Sequence, residues 1–154
     1  MTWPIADFDE IRRLRVLHAA MPGTLIAETR LRMPFAQVWE ALDDIGTAFP
    51  ELLPDVRRID VDNRTGERFT AHILGRSGLG GRFEIVMRPG WCVMQSRLLT
   101  FAMAAVPDGE HTRFGYLTGI RIRGSHRFGG LLRPLHGVLG RRTIRRFERR
   151  FGAA

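Results

Sequence analysis

The sequence contains no lysine: all 24 basic residues are arginine, so imine chemistry and lysine general-base mechanisms have no residue to use. Cysteine is nearly absent as well. The lone Cys92 makes no internal disulfide or CxxC pair, and the five histidines fall outside HExxH and zinc-ribbon spacing, which argues against a redox dithiol or a structural metal. Long apolar runs are missing too. Leu98 to Val106 is interrupted by Thr100 and falls well short of a membrane span, and Asp7, Asp9, Glu10, Arg12, Arg13 and Arg15 leave no signal-peptide core near the N-terminus. These absences predict a soluble cytoplasmic protein with neither a structural metal site nor a redox dithiol.

What remains is one domain's worth of chain: 154 residues, 44% hydrophobic and 26% charged, enough to enclose one core. The formal charge of +8 is unevenly placed. Residues 1–120 carry 14 Arg against 15 acids, whereas 121–154 carry 10 Arg against Glu148 alone, so the positive field belongs to the C-terminal segment.

Asp7 followed by Glu10 matches a capping box, and Phe8, Ile11 and Leu14 continue at helical spacing, predicting a short amphipathic helix over 7–19. Alternation from Thr24 to Met33 predicts a first strand. Pro34 then opens a helix with Phe35, Val38, Trp39, Leu42 and Ile45 on one stripe and Gly46 as its stop, followed by a helical turn near Phe49 to Leu53. Six strand patterns follow, over 56–62, 67–75, 82–88, 91–98, 100–106 and 111–123. Turn residues separate all of them except at 98–100. After Gly129-Gly130, Leu131, Leu132, Leu135, Val138 and Leu139 form one helical stripe, and Ile144, Phe147 and Phe151 form another on nearly the opposite side. The element must bend near Gly137–Gly140 or divide in two.

Strand, two short helices, six antiparallel strands and a terminal helix make an α+β fold. A seven-stranded antiparallel sheet of this kind curls, and a long C-terminal helix across its concave side either seals the core or leaves a cavity.

The passage Met33-Pro34-Phe35-Ala36-Gln37-Val38-Trp39-Glu40-Ala41-Leu42, the segment Phe49-Pro50-Glu51-Leu52-Leu53-Pro54-Asp55-Val56 and the turn-strand from Pro107 to Phe114 resemble the START-like or SRPBCC superfamily, over about residues 24–151. The resemblance implies a helix-grip fold: a ligand-binding domain over 24–154, preceded by an extra helical extension over 1–23. It implies a hydrophobic ligand, polycyclic or polyketide-like in kind. Members include cofactor-independent cyclases and aromatases of natural-product biosynthesis and also non-catalytic carriers of lipids or quinones, so both activities stay open.

Strand phase selects the candidate site residues. Phe114, Tyr116 and Thr118 share one face of the last strand, which puts two hydroxyls into an apolar wall where they can orient a carbonyl or donate a proton. Histidine is the side chain suited to proton transfer at neutral pH, so His72 is a candidate general acid or base if its strand turns it inward. Trp91, Gln95 and Arg97 share a parity. If Trp91 packs inward, Gln95 follows and Arg97 can neutralise an enolate or carboxylate. Met87 and Met103 adapt to a flat ligand surface. The glycines at 75, 78, 80 and 81 run strand to strand without GK[ST], so they make a gating hairpin and not a phosphate loop. Arg141, Arg142, Arg145, Arg146, Arg149 and Arg150 form either a solvated helix face or a surface for an acidic acyl carrier protein or an anionic membrane. Nucleic acid is disfavoured, because no helix-turn-helix pattern or aromatic platform accompanies the charge.

Overall fold

The computed structural model describes residues 8–120 and 140–154. Helix α1 (Glu10–Ala20) is followed by β1 (Thr24–Leu31), α2 (Phe35–Asp43) and α3 (Ile45–Leu52). Strands β2 (Val56–Asp62), β3 (Arg68–Gly75), β4 (Gly80–Arg88), β5 (Trp91–Gln95), β6 (Leu99–Asp108) and β7 (His111–Ile120) complete a curved antiparallel sheet in the order β1-β7-β6-β5-β4-β3-β2. A last helix, α4, covers 140–151.

Three local expectations need correction. The N-cap of α1 is Asp9, not Asp7: its carboxylate accepts the Arg12 amide at 2.8 Å, so the helix begins later, and Asp7 lies outside the described residues. Gly46 does not stop α2. The break falls at Asp44, whose non-helical backbone carbonyl instead accepts the amides of Thr47 and Ala48, so that Gly46 and Pro50 both lie inside α3. The turn between β5 and β6 falls at Ser96 to Leu98, earlier than expected. Ser96 Oγ accepts the amides of Leu98 and Leu99 at 3.3 and 3.0 Å, which is turn chemistry supplied by a side chain.

The sheet separates two apolar layers. On its outer face, Ile11 and Leu14 of α1 pack with Ala102, Ala104 and Leu117. Gly115 makes the close approach possible, since a Cβ there would stand 2.7 Å from Leu14 Cδ2. The inner layer is far larger. It joins α2, α3 and α4 to the facing residues of the sheet, with Val38, Leu42, Phe49, Met103, Phe114 and Phe147 all at 0% exposure.

The second predicted stripe explains how α4 docks. Phe147 stacks on Phe114, with ring centroids 4.3 Å apart and planes 24° from parallel, and Phe151 is buried one turn later. Thr29 Oγ1 donates to Glu148 Oε1 at 2.8 Å, and Arg146 Nη1 donates to the Glu51 carbonyl at 3.1 Å, tying the helix to β1 and α3. Gly152, at φ 83°, turns the chain so that Arg32 N donates to its carbonyl and Ala154 N donates to Arg30 O. The leucine stripe over 131–139, with Gly137, lies outside the described residues.

Candidate functional site

The antiparallel register decides which candidates meet. Tyr116 pairs with Met103, and Thr118 with Phe101, so all four side chains fall on the inner face of β6 and β7. Tyr116 lies 5.2 Å from Phe101, centroid to centroid, and Phe101 meets Phe49 of α3 edge-on at 6.0 Å. Met87 joins the same inner layer from β4, and Phe114 continues it along β7. Five candidates therefore share the concave side: Tyr116, Thr118, Met87, Met103 and Phe114.

The other four do not. Trp91 and Val93 pack toward α1 on the outer face, because Cys92 and Met94 take the inner positions of β5. Gln95 shares the parity of Trp91 and Val93 and is half-buried on that side. Arg97 is exposed in the turn after β5. In β3 the inner positions belong to Phe69, Ala71 and Ile73, which turns His72 outward into solvent, opposite Asp60 of β2. The inward orientations on which roles for His72, Gln95 and Arg97 rested are thus replaced by outward ones, by the alternation of the pleat.

Tyr116 is the one tyrosine in the sequence. Burial pushes its pKa above the ordinary value, outweighing hydrogen bonds with the side chains of Thr118 and Thr143 that favour the phenolate; the charge of Asp55 pushes the same way as burial. At neutral pH it is a protonated donor in apolar surroundings, held between a strand hydroxyl and a helix hydroxyl. The sequence reading missed Thr143. The signal was there, since Thr143 lies four residues before Phe147 and so shares the buried face of α4.

The inner layer is closely packed, with small differences in exposure along it. Ile73, Phe83 and Phe101 retain 8% exposure each and Tyr116 6%, whereas Phe49, Phe114 and Phe147 retain none. A cleft of about 980 Å³ runs beside α4, with Pro54, Asp55 and Arg76 on one side and Arg142, Arg145, Arg146, Glu148 and Arg149 on the other. Arg76 is fixed there by donating Nε to the Pro54 carbonyl at 2.9 Å, while its own amide donates to Asp55 O. None of the ion pairs among the described residues involves these five arginines. Arg82, the other arginine of the glycine-rich hairpin, donates to Thr70 at 3.5 Å and does not line the cleft. Among the described residues no cluster of His, Cys, Asp and Glu is placed to hold a metal ion, and no helix is long and apolar enough to cross a membrane.

No family model and no curated protein matches the chain. Solved structures do. A START superfamily protein from Mycobacterium smegmatis aligns with a TM-score of 0.58 at 13% identity, covering 84% of this chain and 97% of its own. The Zhui aromatase/cyclase from Streptomyces sp. R1128 aligns with a TM-score of 0.59 at 12% identity, covering 79% and 86%. A protein of Thermus thermophilus reaches a TM-score of 0.59 at 21% identity over 80% and 90%. The chain therefore has the START-like helix-grip fold. Fold class and resemblance stand as the sequence implied; identities this low carry the architecture and leave the activity to the residues.

Proposed function

We propose that this protein takes a hydrophobic, polycyclic or polyketide-like molecule against its concave face, and that it assists ring closure without a cofactor. The observation behind the reading is Tyr116: a protonated hydroxyl in an apolar wall, braced by Thr118 and Thr143, next to inner-layer side chains that keep residual exposure. Such a donor hydrogen-bonds a carbonyl oxygen and supports the enolate that forms when the adjacent carbon attacks. Phe101, Ile73 and Phe83, the inner-layer side chains that keep residual exposure, supply the apolar contact that confines a flexible chain to one folded shape, backed by the sealed packing of Met87, Met103 and Phe114, and this lowers the entropy lost at the transition state. The aromatase/cyclase neighbour shares this architecture.

A second reading, a carrier that binds and releases its ligand unchanged, is favoured by the outward placement of His72 and Arg97. Without them Tyr116 has no titrating partner among the nine candidate residues, and one donor is sufficient for recognition where multistep proton transfer asks for more. Replacement of Tyr116 by Phe separates the two. As an enzyme, the variant keeps its fold and loses about 10²-fold in turnover of a polyketide-type substrate. As a carrier, wild type and variant both show no turnover, and the variant binds about tenfold more weakly, as expected for one lost hydrogen bond. Unchanged turnover and unchanged affinity together would remove Tyr116 from the site.

A further inference from the structure

The register brings several chain reversals to one end of the sheet. Val56 opposes Gly75, Leu74 opposes Gly80, and Thr24 opposes Gly119, so the start of β2, the β3–β4 hairpin, the β5–β6 turn and the start of β1 all lie there. Two of these reversals present leucine to water. Leu79, at the β3–β4 tip, is 78% exposed, and Leu98, in the β5–β6 turn, is 58% exposed, with Leu99 beside it at 46%. A leucine at a tight turn gains nothing for the fold from such exposure, and here two turns at the same end repeat it. Arg76 lies within the first reversal and Arg97 within the second. The cleft lined by Arg76 runs from this end along α4, past Arg142, Arg145 and Arg149 and the carboxylates of Asp55 and Glu148, to Ala153 beside the far end of β1.

We propose that this end of the molecule is a docking surface for an anionic lipid bilayer, from which the concave face is loaded. The inference rests on the hydrophobic-ligand reading above, in either of its forms. Leu79 and Leu98 enter the boundary between headgroups and acyl chains, which a projecting turn can reach without rearranging the sheet. Arg76 and Arg97, which have no carboxylate partner among the ion pairs of the described residues, then meet lipid phosphates with N–H donors. An acidic protein would satisfy the arginines equally well but would leave no use for leucines on separate projecting tips. Bilayer docking accounts for both.

The test is flotation of the full chain with vesicles of pure phosphatidylcholine and with vesicles enriched in phosphatidylglycerol. Binding is expected to the anionic vesicles, falling steeply as salt is raised. Leu79→Ser combined with Leu98→Ser is expected to reduce partitioning about tenfold or more at low salt with an unchanged melting temperature, since both side chains are already in water. Arg76→Gln combined with Arg97→Gln is expected to abolish the preference for phosphatidylglycerol. The proposal is overturned if wild type does not float with anionic vesicles, or if the leucine pair floats like wild type. Retained binding of the leucine pair to an acidic carrier protein, without vesicle binding by wild type, assigns the surface to a protein. Uptake of the neutral dye N-phenyl-1-naphthylamine, measured without vesicles, monitors the interior separately: intact uptake with failed flotation sinks the docking surface alone, and failed uptake sinks the ligand-binding reading itself.

Discussion

Replacing Phe147 by Ala tests how α4 is held against the sheet. The ring is fully buried, stacked at 4.3 Å on Phe114 and 6.1 Å from Phe151, so its removal leaves a void bounded by two aromatic rings. Truncating a buried phenylalanine costs about 3–5 kcal/mol, and loss of the stacked pair places this site in the upper part of that range. For a domain with a stability of about 5–15 kcal/mol this is a large fraction, yet still compatible with a folded protein. In urea, with a slope of about 2 kcal/mol per molar, the midpoint should fall by about 2 M. Phe147→Leu refills most of the void and should recover more than half of the loss. A shift under about 0.5 M for the alanine variant with an unchanged slope would refute the aromatic stack as the anchor of α4.

Two further perturbations probe other parts of the molecule. Burial pushes the Cys92 thiol from 9.0 up to about 12, so between those pH values the unfolded chain gives up a proton that the fold retains, and stability falls as pH rises through the window. The full contribution is about 4 kcal/mol. Denaturation of wild type and Cys92→Ala at successive alkaline pH values should show the shallower decline in the variant; parallel declines would exclude the thiol as a source. Gly115→Ala places a Cβ 2.7 Å from Leu14 Cδ2, and because Leu14 is fully buried α1 must shift; a loss of about 1–3 kcal/mol by thermal melting is expected, and no loss would mean α1 packs elsewhere.

The sheet was legible in the sequence because its signals are local. Alternating residues and turn chemistry such as Pro89-Gly90 and Pro107 to Glu110 placed the strands within a few residues, and the β5–β6 break was placed slightly late because a serine hydroxyl supplied the turn. The site was less legible. Phase was certain within each strand, but which phase faces inward depends on the partners across the sheet, and β3 and β5 offer aromatic or aliphatic residues on both faces. Phe69, Ala71 and Ile73 won the interior over His72, and Cys92 and Met94 won it over Trp91 and Val93, since α1 supplies a second apolar layer that can receive the tryptophan. In β7 the phase was plain, because Phe114 and Tyr116 face bare Gly115 and Gly119 across the pleat, and Tyr116 was placed correctly on the concave side.

The pairing of β1 with β7 has a temporal consequence. Thr24 meets Gly119 and Leu31 meets Thr112, so the first strand to leave the ribosome finds its neighbour only after nearly all the others have been made. Until then Ile11 and Leu14 find only the Ala102 and Ala104 part of their surface, without Leu117. Closure over such a large loop is slow, and the waiting hairpins expose an unfinished strand edge, so folding should be rate-limited by this last zippering step and most prone to misassociation just before it.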